Sequence, residues 1–315
     1  MHGIAHFAGL TAPLFLLVFV GYALSSFAHW PRTATDALTR FVFGVALPAL
    51  LFRLMSDFSR LPPVDARILV AFFGGCLIVY VLGRIAGRLL FGMDGVGQSV
   101  FAVGGIFSNN VLLGLPIAQV TLGEAALPAV SLVLVFNSLT LWTLVTVSVE
   151  WARHRDLSLA GFGKTVKGVL ANPIVGSILL GTAFGFTRVP LPGFVDRTLE
   201  LIAQAALPLS LIALGMGLAE FGVRAGWRVS AAIVTMKLAV QPLVVYAAAL
   251  LLGLSALDTA VVVLLAALPV GANVYLMARQ FDVLNGPIAS AIVITTALGA
   301  ITTPIVLALA GAPVK

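Results

Sequence analysis

Residues 108–117 read SNNVLLGLPI, and they lie inside an apolar segment long enough to cross a lipid bilayer. The stretch places two adjacent amides, and then Gly114 and Pro116, near the middle of that segment. Within a bilayer every backbone donor and acceptor needs a partner, so glycine and proline at mid-depth are tolerated only against protein or a wet cavity. The stretch therefore predicts a membrane-spanning helix that is interrupted for a functional reason.

The composition places the whole chain in the membrane. Of its 315 residues 60% are hydrophobic and 10% are charged, with a mean hydropathy of +1.11, far more apolar than a typical soluble domain. About 20 apolar residues cross a bilayer core as a helix, and continuous runs favour helices over the alternating strands of a barrel. We predict an all-α integral membrane protein with ten transmembrane helices, at residues 8–28, 36–56, 67–91, 97–122, 126–150, 169–188, 198–219, 227–252, 257–279 and 286–310. They are called spans one to ten below.

The chain resembles itself at a fixed distance. An offset of 160 residues aligns Pro13 with Pro173, Gly21 with Gly181, Ala23 with Ala183, and Ala46-Leu47-Pro48 with Ala206-Leu207-Pro208; a shorter offset of 153 residues aligns Gly114-Leu115-Pro116-Ile117 with Ala267-Leu268-Pro269-Val270. These matches predict two five-helix repeats, residues 1–150 and 169–315, joined by a charged cytoplasmic linker at 151–168. Because five is odd, the second repeat enters the membrane from the opposite side, an arrangement typical of secondary transporters.

Basic residues set the predicted orientation. With the amino terminus outside, 11 of the 18 lysines and arginines fall on the inner side and 6 on the outer side, leaving Lys237 within span eight. By the positive-inside rule both termini then face outward. The first apolar run is preceded by no lysine or arginine, so we interpret it as a permanent helix and not as a secretion signal.

The broken spans predict a binding site. Pro116 and Pro269 each lack an N–H group, and Gly114 and Gly271 relax the backbone beside them, so spans four and nine are expected to form half-helices that meet near the midplane. Such breaks expose N–H groups with partial positive charge and carbonyl groups with partial negative charge.

Asparagines accompany both breaks. Asn109 and Asn110 precede Pro116, and Asn273 follows Pro269. Backbone N–H groups and amides suit an organic anion, so the predicted substrate-binding residues are Asn109, Asn110, Gly114, Pro116, Pro269, Gly271 and Asn273. A plainer alternative is that the asparagines join neighbouring helices, at about 0.6 kcal/mol each, and that the prolines only kink them.

The motifs NNVLLGLPIA, VALPAL with LPLSLIALG, MKLAVQPLV and LPVGANVYLMA resemble the auxin efflux carrier family, which includes plant auxin exporters and is distantly related to bile acid sodium symporters. The resemblance covers essentially the whole chain and is greatest to bacterial carriers of malonate and related carboxylates. It implies that spans four and nine cross beside the substrate. It also implies a scaffold of spans one, two, six and seven, a transport domain of the others moving as an elevator, and a homodimer.

Few polar side chains lie deep in the spans. Lys237 lies about ten residues into span eight, where a lysine costs roughly 2.5–3.5 kcal/mol, so we expect it to balance substrate charge or to replace a coupling cation. Every Asp and Glu falls at a span end or in a loop, which argues against a buried proton relay. Two kinds of coupling stay open. H⁺ could be carried by Lys237 or by the substrate, or Na⁺ could bind to Asn137, Thr295 and Thr296. Gln241 could take part in either arrangement. The alternatives are a Lys237 that snorkels or pairs with a backbone carbonyl, and threonines that bond to their own helix.

Other chemistry is not supported by the sequence. A single cysteine, Cys76, and four histidines without metal-ligand spacing predict no metal site, and Gly163-Lys164-Thr165 lacks the earlier glycine of a phosphate-binding loop. We expect no enzyme activity, no cofactor and no nucleic-acid partner. The leading interpretation is a secondary carrier of a small organic anion, such as malonate, in a bacterial inner membrane. Its rivals are a passive channel and a sensor that binds without transport; substrate, direction and coupling ion stay undetermined.

Overall fold

The computed structural model describes residues 2–57, 65–154, 173–219, 221 and 226–311. Within these ranges all regular structure is helical. The helices are α1 (His2–Ser26), α2 (Arg32–Phe41), α3 (Leu47–Ser56), α4 (Arg67–Phe91), α5 (Gly95–Gly104), α6 (Leu115–Thr121), α7 (Leu127–His154), α8 (Pro173–Phe186), α9 (Gly193–Leu218), α10 (Trp227–Thr235), α11 (Gln241–Leu251), α12 (Ala256–Ala267), α13 (Asn273–Phe281) and α14 (Asn285–Leu309). Short π-helical turns connect α2 to α3, precede α6, and connect α10 to α11.

Six helical segments of the described ranges are long and apolar enough to cross a bilayer: Gly3–Ser26, Arg32–Ser56, Arg67–Phe91, Gly193–Leu218, Trp227–Leu251 and Asn285–Leu309. Shorter apolar helices, among them Pro173–Phe186 and Ala256–Ala267, lie between them. Large apolar side chains point outward, such as Leu89 at 75% and Leu251 at 88% exposure, as expected for surfaces that face lipid. The predicted all-helical membrane architecture is confirmed at this level, while ten spans in two inverted repeats stays a prediction.

Three π-helical turns share one cause. Each ends two residues before a proline: Val42–Ala46 before Pro48, Asn110–Gly114 before Pro116, and Met236–Val240 before Pro242. Proline cannot donate to the carbonyl four residues back, and its ring crowds that carbonyl. The residue before each proline instead bonds five residues back, as Leu115 does to Asn110. Such single π turns are frequent at functional sites.

Two helix pairs cross with their backbones in contact. Where α1 crosses α9, a Cβ atom added to Gly21 or Gly215 would overlap carbonyl oxygens of the facing helix. Where α3 crosses α8, a Cβ atom at Gly181 would lie 2.6 Å from the oxygen of Phe52. Gly21 faces Ile212, and Gly181 faces Phe52. Gly181 comes 160 residues after Gly21, and Ile212 comes 160 residues after Phe52. The offset found in the sequence therefore also relates the two crossings.

The remaining helices form a second group around the broken spans. α4 packs on α5 and α11, α12 packs on α11 and α14, and α5 packs on α7. α7 continues to His154, four residues into the segment predicted as a linker, and residues 155–168 of that segment lie outside the described residues. α1, α3, α8 and α9 pack mainly on one another, and α1 also packs on α14 and α6 of the second group.

Candidate functional site

The two broken spans cross and pair through their backbones. The amide of Asn109 donates to the carbonyl of Pro269 at 2.9 Å, and the amide of Gly271 donates to the carbonyl of Phe107 at 2.8 Å. Ser108 and Val270 lie opposite each other in this antiparallel bridge. The pairing satisfies four backbone groups at a depth where water is scarce. It fixes the two interruptions directly against each other.

The interruption of span four begins earlier than the sequence suggested. α5 ends at Gly104, and helical structure resumes at Asn110 with the π turn. Gly114 closes that turn, and Pro116 follows it within the continuous helical segment Asn110–Thr121. Gly114 and Pro116 therefore lie beyond the interruption. The pairing of Ser108 with Val270 also shows that Pro116 is not the structural counterpart of Pro269, as the offset of 153 residues had implied.

The interruption of span nine contains its proline and glycine. α12 ends at Ala267, Leu268 is extended, and Pro269 and Gly271 follow before α13 begins at Asn273. A Cβ atom at Gly271 would lie 3.0 Å from the carbonyl oxygen of Ser108 and 3.1 Å from the Phe107 ring. The φ angle of Gly271 is not positive. Glycine is therefore needed here for the close approach of the two segments, and not for a left-handed backbone conformation.

The half-helices are capped at their outer ends. The Asp94 side chain accepts a hydrogen bond from the Gly97 amide at the start of α5, and Ser255 does the same for Asp258 at the start of α12. The helix starts at the crossover, at Asn110 and Asn273, have no side-chain cap. The amides of Asn110, Val274 and Tyr275 donate to nearby backbone carbonyls, so the positive ends of the two helix dipoles are what is left for another partner.

The predicted asparagines lie around the bridge. Asn109 and Asn110 are buried, and Asn273 is half-buried at the start of α13. The Asn110 Nδ2 atom donates to Oδ1 of Asn137 at 3.3 Å. Within the described part of the chain neither Oδ1 of Asn110 nor the Ser108 hydroxyl has a hydrogen-bond partner. Buried polar groups rarely lack a partner, so these two atoms are candidates for contact with a bound solute. Ser108 was not among the predicted site residues, although the uninterrupted polar run SNN was a signal for it.

The predicted threonines have different partners. The Thr295 hydroxyl accepts from the Val270 amide at 3.1 Å and donates to the Ala291 carbonyl at 2.7 Å. The Thr296 hydroxyl donates to Ile292 within its own helix at 2.8 Å. Thr295 thus stabilises the interruption of span nine, while its own proton is donated within its helix.

Lys237 and Gln241 connect both interruptions to span eight, and both side chains are fully buried. The ammonium group of Lys237 lies 2.5 Å from the carbonyl oxygen of Ala266 and 2.7 Å from Oε1 of Gln241. The amide of Gln241 in turn donates to the Ile106 carbonyl at 2.8 Å. The pair therefore contacts the carbonyl end of α12 and the segment that follows α5.

A polar cavity of about 1090 Å³ lies between α3, the turn between α6 and α7, and the loop between α8 and α9. Its charged and amide side chains are Arg53, Asp57, Gln119, Glu124, Arg188, Asp196, Glu200 and Gln204. Arg53 holds Asp196 through two hydrogen bonds of 2.7 and 3.1 Å. Sequence reasoning placed these charges only as loop residues, because a cavity built by four elements has no local signature.

The cavity approaches the crossover along α9. Leu207 lines it, and Ser210, one turn further, lies with its hydroxyl 3.3 Å from the carbonyl of Leu112 in the π turn of span four. This contact joins α9 to the π turn of span four.

Comparison with known proteins gives consistent matches over the whole chain. A family model described as "Membrane transport protein" matches residues 6–307. A protein of Rhizobium meliloti named as a putative malonate transporter is 28% identical over 304 residues, covering 95% of this chain and 94% of its own. An uncharacterized transporter of Methanocaldococcus jannaschii is 25% identical over 299 residues, covering 89% and 91%. Auxin efflux carrier component 8 of Arabidopsis thaliana is 21% identical over 339 residues, covering 89% and 90%.

Proposed function

Because the chain belongs to this membrane transport protein family, which also contains the auxin efflux carriers, we propose that it is a secondary carrier of a small organic anion. Malonate or a related short carboxylate is the proposed substrate, supported by the relative of that name with 28% identity. The observation that carries the proposal is the crossover, in which the backbones around Ser108 and Val270 pair between two broken helices.

The chemistry around the crossover supports an anion. The starts of the π turn at Asn110 and of α13 at Asn273 have no side-chain cap, and they offer the positive ends of their dipoles. The Asn109 amide and the Ser108 hydroxyl add side-chain donors. The free Oδ1 atom of Asn110 accepts from the O–H group of a half-protonated dicarboxylate or from a water on the substrate.

Alternating access is the proposed mechanism. Spans one, two, six and seven would form the scaffold, and the second helix group would carry the crossover as an elevator. The cavity beside Arg53 would be the access route from one face, and the weak Ser210–Leu112 contact lies where the two groups would slide. The same proposal includes two inverted repeats, a homodimer, and a bacterial inner membrane with both termini outward. The 160-residue relation between the Gly21 and Gly181 crossings supports the repeats.

Transport by counterflow tests the function. Purified protein in liposomes loaded with unlabelled malonate should accumulate external labelled malonate, with saturation, and empty liposomes should not. A passive channel would give flux that neither saturates nor shows counterflow, and a sensor would bind malonate without moving it. Either result, or the absence of both binding and flux for malonate and related short carboxylates, would overturn the proposal.

Asn109 is the sharpest variant for this test. Asn109→Ala removes a buried amide beside the bridge and should raise the malonate concentration for half-maximal uptake by at least about tenfold, the effect of losing a hydrogen bond to a charged group. Asn285→Ala removes an asparagine at the start of α14, away from the bridge, and should leave uptake within about twofold of wild type. Equal behaviour of the two variants would remove Asn109 from the site.

A further inference from the structure

The carbonyl groups released by the two interruptions have partners on span eight. In an unbroken helix the amide of Asn110 would donate to Ile106, but it donates to Ser108 at 2.9 Å. In the same way the amide of Val270 would donate to Ala266, but it donates to Thr295. The carbonyls of Ile106 and Ala266 are therefore left over by the crossover itself, and these two are the carbonyls that Gln241 and Lys237 contact.

The four groups form one continuous chain of hydrogen bonds. Lys237 donates to Ala266 and to the Gln241 oxygen, and the Gln241 amide donates to Ile106. Accepting from Lys237 fixes the direction of the Gln241 amide, because its oxygen faces the ammonium group and its NH₂ group faces the carbonyl. The π turn between the two residues, caused by Pro242, sets this register on span eight.

The charge of Lys237 is matched by the backbone. The carbonyl ends of α5 and α12 each carry about half a negative elementary charge, so together they offset roughly one positive charge. No carboxylate of the described residues makes a salt bridge with Lys237. Backbone carbonyls at the ends of broken helices are also the ligands that hold inorganic cations in secondary carriers.

We propose that Lys237 is a positioning residue that acts as a built-in cation for the crossover, so that this carrier binds and moves its substrate without Na⁺. It holds the ends of both half-helices in register, with Gln241 as its bridge to span four. The consequence for transport rests on the function proposed above, whereas the consequence for the crossover structure does not.

The first measurement needs no substrate. Amide hydrogen exchange at residues 107–109 and 269–271 should be at least about tenfold faster in Lys237→Met than in wild type, because the ends of α5 and α12 are no longer held together. Arg228→Met, which removes an exposed positive charge from the start of the same span, should exchange as wild type does. Unchanged exchange in Lys237→Met would overturn the positioning role, whether or not malonate is the substrate.

The second measurement separates a built-in cation from simple packing. Malonate affinity and counterflow of the wild type should agree within about twofold in buffers of NaCl, KCl and choline chloride at equal ionic strength. Lys237→Met should lose at least about tenfold in malonate affinity while remaining monodisperse, and Lys237→Arg should recover part of that loss because it restores the charge. Wild-type binding that rises tenfold or more with Na⁺, or Lys237→Met binding as wild type does, would overturn the proposal. Absence of carboxylate binding by the wild type in every buffer would instead contradict the proposed function.

Discussion

Helices approach each other closely at two kinds of place in this molecule, and they do so by opposite means. Where α1 crosses α9, Gly21 and Gly215 remove the side chains, and both helices continue unbroken. Where span four crosses span nine, the helices themselves are interrupted, and the backbones pair between Ser108 and Val270. The first crossing lies within continuous helical segments. The second releases several backbone hydrogen bonds.

The difference decides what each crossing can do. An unbroken helix with a glycine surface has no free polar group, so its contact contributes only packing and rigidity. The interrupted crossing needs help from Thr295, Lys237 and Gln241 for its released groups. Its helix starts at Asn110 and Asn273 also have no side-chain cap. We therefore expect mutations at the first crossing to change stability, and mutations at the second to change transport as well.

Gly215→Ala should have the largest effect on folding. Its Cβ atom would overlap backbone atoms of Val18 and Tyr22, which cannot rotate away, so the cost should exceed the roughly 1–3 kcal/mol usual for overpacking. Gly217→Ala, two residues along the same helix, has nothing within 4 Å of the added atom and is the control. Thermal unfolding and the yield of monodisperse protein measure the effect. If the two variants gave equal yields and equal unfolding midpoints, the close approach of α1 and α9 would be contradicted.

The sequence predicted the fold better than it predicted the local geometry of the site. Apolar run length determines which segments become helices in a bilayer, so the run at 67–91 matches α4 (Arg67–Phe91) to the residue. The interruption of span four was misplaced because proline was expected to break the helix where it stands. Pro116 instead lies within the helical segment Asn110–Thr121, and the interruption is set by the pairing of Ser108 with Val270, 162 positions away. Such long-range pairing leaves no local signal.

For the side chains as well, the sequence indicated which residues were important but not which partners they contact. Lys237 was recognised because a lysine within an apolar span is costly, but its partner Ala266 is a backbone carbonyl that any residue could supply. Thr295 and Thr296 are identical in sequence terms, and only the structure shows that Thr295 faces the interruption. Residue type thus indicated polar sites, whereas their partners depended on the packing of other helices.

Thr295→Val should have an intermediate effect on stability, and the neighbouring Thr296→Val is its control. Valine keeps the shape but leaves the buried amide of Val270 without its acceptor, at a cost of roughly 1–3 kcal/mol in the free energy of unfolding. Thr296→Val removes a hydroxyl that bonds only to the carbonyl of Ile292 in its own helix, and it should change stability by less than about 0.5 kcal/mol. Chemical unfolding of both variants, with counterflow measured in parallel, checks the expectation that only Thr295→Val also slows transport. Equal losses in both would mean that the Val270 amide does not depend on Thr295.

Loss of the ion pair between Arg53 and Asp196 should have the smallest effect on stability, although the pair joins α3 to α9, which belong to the glycine crossings. Both side chains are more than a third exposed to the cavity, at 37% and 41%, and exposed pairs contribute about 1 kcal/mol or less because water and salt screen them. A double-mutant cycle of Arg53→Gln and Asp196→Asn should therefore give a coupling free energy below about 1 kcal/mol that declines between 50 and 500 mM salt. A coupling well above that, or one insensitive to salt, would show that the pair is shielded from solvent and contributes to the α3–α9 contact as strongly as the glycine crossings do.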